Sequence, residues 1–160
     1  MKALSLWQPW ASAIAIGAKT IETRGWFTTY RGPLAIHAAK TDTPELREFF
    51  EWHPACRPLR AAGYGRWEDL PRGAIVATCR LAECLRTTDI AGLSSQERAL
   101  GNYDEGRFGW VLRDIVRLDA PITARGAQGL WEWDNGVPDL SRPTLPGLTM
   151  PAGTQRPERR

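Results

Sequence analysis

The sequence is short of metal ligands and of paired cysteines. Its 160 residues contain two histidines and three cysteines, Cys56, Cys79 and Cys84, with no C-x-x-C pair. A structural zinc site needs four well-spaced ligands, so we expect no metal and no cofactor. An odd number of scattered cysteines is typical of free, buried thiols in a reducing compartment.

The chain also lacks long apolar runs and glycine-rich phosphate loops. The first ten residues, MKALSLWQPW, carry one charge and no sustained apolar stretch, which predicts neither a signal peptide nor a membrane span. We therefore expect a cytoplasmic protein with no membrane partner. The absence of a βαβ rhythm argues against a doubly wound sheet. No Ser-His-Asp or Cys-His arrangement of a nucleophilic hydrolase stands out.

A large excess of charge is missing as well. The net charge is +3 and the isoelectric point is about 9.0. Three of the arginines, Arg156, Arg159 and Arg160, lie at the C-terminus, and the rest of the chain is close to neutral. This balance permits a nucleic-acid partner but does not require one, so any basic site has to be local.

Short strands separated by short helices dominate the pattern. KALSL, KTIETRGW, PLAIHAAK, GAIVATCRLAECL and FGWVLRDIVRL are predicted strands. Helices are predicted from Pro9 to Gly17, after the cap Thr43, and after Ser94, which has Glu97 at capping-box spacing. This order predicts an α+β fold, a small mixed β-barrel with two or three short helices. We expect one domain over residues 1–137 and a disordered Pro/Arg-rich tail over 138–160.

Several separated blocks resemble one known family. LSLWQPWA, GAKTIETRGW, YRGPLAIHAAK, GRFGWVL and GAQGLW follow in order the pattern of the ASCH domain, whose most distinctive element is G-x-K-x-x-E-x-R. The resemblance implies a PUA-like β-barrel with a cleft for RNA, single-stranded nucleic acid or a nucleoside-sized ligand. Some small members of the family resemble amidohydrolases of acylated cytidine, and ribonuclease activity is attributed to others.

The charged residues of this element are the first candidates for a site. Alternate side chains of a strand share a face, so Glu22, Arg24 and Trp26 are predicted to line one side, while Ile21 and Thr23 point toward the core. Lys19 is predicted on the turn after the helix, free to swing toward Glu22. Arg24 could bind a phosphate or a base edge. Glu22 could accept a hydrogen bond from an exocyclic amine.

A structural ion pair of Glu22 with Lys19 and Arg24 is the alternative for this element. A pair at the rim would contribute at most about 1 kcal/mol, which is little reason to place three charges in six residues. If the protein is an enzyme, Lys19 and Glu22 are the catalytic candidates, and Glu97 is a candidate for the third acid that the amidohydrolase-like members use. The amidohydrolase-like members have threonine at the position of Glu22, which weakens the transfer of their activity.

Aromatic and basic residues outside this element complete the predicted site. Trp7, Gln8 and Trp26 could contact bases, whereas Trp10 is predicted to fill the core. Arg31, Lys40 and Arg107 are candidate phosphate or cleft contacts, and a solvated lysine or a salt link of Arg107 to Asp104 or Glu105 is the alternative. His37 could be a general base or could be a half-buried, hydrogen-bonded residue. The predicted nucleic-acid-binding set is Trp7, Gln8, Lys19, Glu22, Arg24, Trp26, Arg31, His37, Lys40, Tyr103 and Arg107.

Three functions are consistent with these residues. The first is binding of RNA or single-stranded nucleic acid in a charged cleft. The second is hydrolysis of a modified nucleoside or of RNA phosphodiesters. The third is a protein-interaction domain in transcription regulation, because the family resembled here is named for its homology to a transcriptional coactivator.

Overall fold

The computed structural model describes residues 1–134 as six strands and four short α-helices. The predicted tail and the domain boundary at residue 137 lie outside the described residues. The strands are β1 (Lys2–Leu6), β2 (Ile21–Arg24), β3 (Gly32–Ala38), β4 (Ala74–Arg86), β5 (Phe108–Thr123) and β6 (Leu130–Glu132). The helices are α1 (Trp10–Ala15), α2 (Pro44–Trp52), α3 (Arg57–Ala61) and α4 (Ser95–Ala99).

All six strands form one mixed sheet in the order β2-β5-β4-β3-β1-β6. β1 and β3 run parallel, and the other neighbouring pairs are antiparallel. The long strands β4 and β5 shift register three times along their length, and such bulges bend a sheet. The result is a half-barrel with short helices, which confirms the predicted α+β class with a curved mixed sheet.

Four helices are present where the sequence predicted two or three. The additional helix, α3, lies in the stretch of residues 53–72, whose many prolines, glycines and arginines obscure any helical period. The other three begin and end near the predicted positions. Gly17 follows α1 with a φ of +77°, the left-handed conformation that a glycine adopts most easily at the end of a helix. Thr43 caps α2 by accepting a hydrogen bond from the Leu46 amide.

The core is divided by the sheet and by the helices. One cluster lies between α1 and the sheet and contains Ile14, Ile36 and the fully buried Trp110. A second cluster lies beneath α2 and α3 and contains Phe50 and Leu59. Trp10 packs against both clusters, as its predicted role in the core requires, and its ring stacks on Phe49.

The three cysteines are buried free thiols. Burial raises the pKa of the Cys56 thiol to about 11 and that of the Cys79 thiol to about 12, because an apolar environment disfavours the thiolate. Both thiols are therefore protonated at neutral pH. Within residues 1–134, none of the helices has the length and apolar character needed to cross a membrane.

Candidate nucleic-acid interface

An open cleft of about 970 Å³ lies at one end of the sheet. Three cationic side chains line it, Arg24, Lys40 and Arg125, and no carboxylate of the described chain does. Its other lining residues are Ser5, Trp7, His37, Ala39, Gly73, Thr123, Ala124, Gly126, Ala127, Gln128 and Gly129. The cleft is therefore a local basic site in a chain with little net charge.

The walls of this cleft come from distant parts of the sequence. Parallel pairing of β1 with β3 places Ser5 beside His37. The segment after β5 crosses this end of the sheet, and the Ala124 amide donates to the Gly73 carbonyl over 3.0 Å. Lys40 rests on Gly73, where a Cβ atom would lie 2.6 Å from the lysine Cε and would displace the lysine stem. These contacts bring Lys40 and Arg125 to the same cleft.

Trp7 is the aromatic side chain of the cleft. It follows β1, and 55% of its surface is exposed. An exposed indole is costly to hydrate and offers a flat surface on which a base can stack. The sequence left open whether Trp7 lies in the core or in the cleft. In the structure it lines the cleft.

Lys19 is fully buried rather than free on the surface. Its ammonium donates to the carbonyl oxygens of Ile21 over 2.6 Å and Leu100 over 2.8 Å, and it lies 3.6 Å from the Glu22 carboxylate. The predicted proximity to Glu22 is confirmed. The predicted mobility is wrong, because Leu100, at the C-terminal end of α4, binds the amine and the amine is fully buried.

Glu22 and Arg24 share one face of β2, as the alternation predicts. Glu22 pairs with Trp110 and Arg24 with Phe108 across the sheet, and directly opposed residues project to the same side. The Arg24 Nε atom lies 3.3 Å from the Glu22 carboxylate, and its Nη2 atom donates to the Ser5 carbonyl over 2.9 Å. Arg24 therefore connects the charged strand to the basic cleft.

Glu97 supports the backbone that leads into β2. Its carboxylate accepts hydrogen bonds from the Thr20 amide and hydroxyl and from the Ile21 amide, at 2.9, 3.1 and 3.1 Å. Ser94 caps α4 by accepting from the Glu97 amide, which the capping-box spacing predicts. With its carboxylate occupied by these three donors, Glu97 is 8% exposed and acts as a structural group.

His37 lines the floor of the cleft and is 2% exposed. A carbonyl can only accept, so the contact of Nε2 with the Ala124 oxygen at 3.0 Å makes Nε2 the protonated nitrogen. The other nitrogen, Nδ1, is buried and has no partner among residues 1–134. Burial lowers the pKa of His37 below its usual value, against the weaker opposing effect of the bond to Ala124. The structure favours the buried, hydrogen-bonded reading.

Gln8 does not reach the cleft, contrary to the prediction. It is fully buried, its amide nitrogen donates to Ser12 and to the Pro71 carbonyl, and its carbonyl accepts from the Ser12 amide. All of these bonds hold the first turn of α1 in place, and none leaves a group for a ligand.

Four other predicted residues lie outside the cleft, namely Trp26, Arg31, Tyr103 and Arg107. Trp26 is 39% exposed and packs edge-on against Trp110. Arg31 donates to the carbonyls of its own loop, at Thr28 and Tyr30.

Neither Tyr103 nor Arg107 lines the cleft. The Tyr103 hydroxyl is buried without a partner among the described residues, and burial, followed by the charges of Glu97 and Glu22, raises its pKa. Arg107 donates to the carbonyls of Asn102 and Thr23 rather than forming the alternative salt link.

Arg125, Gln128 and Ser5 are cleft residues that the sequence did not indicate. Arg125 and Gln128 lie in the irregular stretch between β5 and β6, where no periodicity assigns a side chain to a face. The GAQG block was the available signal, because a glycine-rich segment permits close approach to another backbone.

Two smaller cavities lie along β2, and the first of them adjoins the cleft. One, of about 280 Å³, is lined by Ser5, Leu6, Trp7, Trp10, Glu22 and Arg24. The next, of about 350 Å³, is lined by Trp10, Glu22, Thr23, Phe49, Ala99, Leu100, Gly101 and Asn102. The first shares three residues with the basic cleft, and Glu22 lies at the wall between the two.

Comparisons with known proteins agree with the blocks seen in the sequence. The ASCH domain model matches residues 4–119. The human and mouse proteins called activating signal cointegrator 1 are each 27% identical to the chain over 134 residues, which is 84% of this chain and 22% of theirs. The chain thus spans about a fifth of the length of these relatives.

Solved structures of the ASCH protein from Zymomonas mobilis are also similar. That protein is 20% identical and has a TM-score of 0.43, covering 76% of this chain and 72% of the other. A variant of that protein is 19% identical and has a TM-score of 0.44, covering 76% of this chain and 74% of the other. The match of the family model over most of the chain shows that this protein belongs to the ASCH domain family.

Proposed function

We propose that the protein binds RNA or single-stranded nucleic acid in the basic cleft. The observation that carries this proposal is the convergence of Arg24, Lys40 and Arg125 with the exposed Trp7 in a cleft without a carboxylate. Phosphate attraction and aromatic stacking are the two forces that proteins combine to bind single strands. Membership of the ASCH family, with its PUA-like fold, supports the same function.

Each side chain has a distinct part in this proposal. Lys40 and Arg125 attract phosphates. Arg24 is less available for this, because one of its nitrogens donates to the Ser5 carbonyl and another lies beside Glu22. Trp7 stacks on one base, and such a contact contributes roughly 1–3 kcal/mol per base. The open shape of the cleft suits a flexible strand better than a rigid duplex.

Hydrolysis is less well supported by the site. An amine that activates a nucleophile has to offer a lone pair, whereas the Lys19 amine donates to two carbonyls and is fully buried. Glu97 is equally occupied. Protein interaction in transcription rests on the name of the relatives alone, which are about five times longer than the part matched here.

The test is a binding titration of a short labelled single-stranded RNA, followed by fluorescence anisotropy at several salt concentrations. We expect saturable binding that weakens with salt, because each phosphate contact to a single strand contributes a slope of about 0.7 in log affinity against log salt. Lys40→Ala and Arg125→Ala should each weaken binding and reduce the slope by about that amount. Arg113→Ala, an exposed arginine of β5 that does not line the cleft, is the matched control.

Two results would contradict the proposal. One is the absence of binding at low salt. The other is equal loss of affinity in Arg113→Ala and in the cleft variants, which would indicate diffuse attraction to the whole surface. Release of shortened products from the RNA during the titration would instead support a hydrolase.

A further inference from the structure

The Glu22 carboxylate is nearly buried, yet its hydrogen-bonding capacity is unused. Its side chain is 12% exposed. Lys19 Nζ at 3.6 Å and Arg24 Nε at 3.3 Å neutralise its charge, but neither completes a hydrogen bond, and no other donor within residues 1–134 does so. The Arg24 Nε atom is itself buried without a hydrogen-bond partner. The carboxylate lines two cavities and is partly exposed, so its oxygens are free to accept hydrogen bonds from a ligand that enters there.

The position of Glu22 fits a base better than a phosphate. A phosphate would be repelled by the carboxylate, whereas a neutral base is not. Glu22 lies at the wall between the two small cavities, and the nearer one also contains the rings of Trp7 and Trp10. That cavity shares Ser5, Trp7 and Arg24 with the basic cleft. A strand whose phosphates lie in the cleft can therefore place one base beside Glu22.

The chemistry of a carboxylate discriminates among the four bases. An ionised carboxylate only accepts hydrogen bonds. Guanine presents two adjacent donors, N1–H and the N2 amine, which match the two carboxylate oxygens. Adenine and cytosine present a donor next to an acceptor lone pair, and uracil presents one N–H between two carbonyls. The unpaired edges of bases are accessible in a single strand, so guanine is the best partner.

We infer that Glu22 and the tryptophan-lined cavity beside it form a base-recognition site that selects guanine in a bound single strand. The inference rests on the proposed function, because the strand must be held by the basic cleft. It gives Glu22 a role in specificity, whereas Lys19 and Arg24 fix the orientation of its carboxylate.

The experiment compares short oligouridines that carry one central guanine, adenine, cytosine or inosine with oligouridine itself, using the native protein. A good bidentate contact discriminates between bases by roughly 1–3 kcal/mol. That range corresponds to a preference for guanine over uracil of about 5- to 150-fold. Inosine retains N1–H but lacks the N2 amine, so most of the preference should disappear with it.

Glu22→Gln keeps the size of the side chain but replaces one acceptor by a donor. The preference for guanine should fall to near unity in this variant and should persist in the matched control Glu105→Gln, an exposed carboxylate outside the cavities. Equal affinity of all five oligonucleotides for the native protein would overturn the inference while leaving the proposed function intact. Failure of every oligonucleotide to bind would overturn both. The inosine comparison needs no variant and does not depend on how Glu22→Gln folds.

Discussion

Replacement of Lys19 by methionine tests whether its buried ammonium is structural. Methionine has nearly the same length and apolar stem but lacks the charge. The variant removes donors from the Ile21 and Leu100 carbonyls and leaves Glu22 with Arg24 as its one remaining cationic neighbour within residues 1–134. Because Lys19 is fully buried, water cannot replace the lost donor without a local rearrangement.

The expected loss in the free energy of unfolding arises because the variant leaves buried partners without their cation. Removal of one member of a buried ion pair typically destabilises a protein by about 3–5 kcal/mol. A rim pair would contribute at most about 1 kcal/mol. Total stabilities of domains are about 5–15 kcal/mol, so Lys19→Met should lose a large part of its free energy of unfolding while still folding at low temperature.

Urea unfolding followed by circular dichroism measures this difference. Lys40→Met is the control, because it also removes a lysine charge but from an exposed side chain, and it should change the free energy of unfolding by less than about 0.5 kcal/mol. A loss below about 1 kcal/mol in Lys19→Met would refute the argument. It would mean that the amine is accessible and restore Lys19 as a candidate for chemistry.

Two further predictions concern the floor of the cleft. Burial lowers the pKa of His37, so the unfolded chain binds a proton more readily than the folded chain as the pH falls below about 6.5. The free energy of unfolding should therefore decrease as the pH falls, by at most about 1.4 kcal/mol per pH unit, until the pH reaches the pKa of the folded state. Urea unfolding between pH 7 and pH 5 measures this slope, which should be shallower in His37→Gln; an unchanged slope would contradict it. Gly126→Ala would place a Cβ atom against His37 Cε1, 2.7 Å from its Nδ1 and 2.8 Å from Ser5 Oγ, and such overpacking typically costs about 1–3 kcal/mol. Gly65→Ala has its nearest contact at 3.7 Å and should be nearly neutral in the same assay, so equal losses would exclude a steric cause.

Much of the local architecture was readable from the sequence because it depends on neighbouring residues. The caps Thr43 and Ser94, the stop at Gly17 and the shared face of Glu22 and Arg24 all follow from spacing along one element. The order of the blocks was sufficient to identify the family, and with it the fold class, which the sheet confirms.

The burial and partners of the site residues were decided by the tertiary structure. Lys19 is enclosed by a carbonyl 81 positions away, and Glu97 reaches across to Thr20 from α4. Neither contact leaves a periodic trace in the sequence, because each depends on how α4 packs against the residues that lead into β2. The burial of Gln8 was not predicted for the same reason, since its hydrogen-bond partner Pro71 is 63 positions away along the chain.

The sequence by itself determined the family, five of the six strands and the charged cluster of β2, since local spacing and side-chain type are sufficient for these. The tertiary structure alone decided that the basic cleft combines Arg24 with Lys40 and Arg125. The physical reason is that a binding surface forms where the ends of distant strands meet, and strand pairing over long sequence separations determines which ends those are.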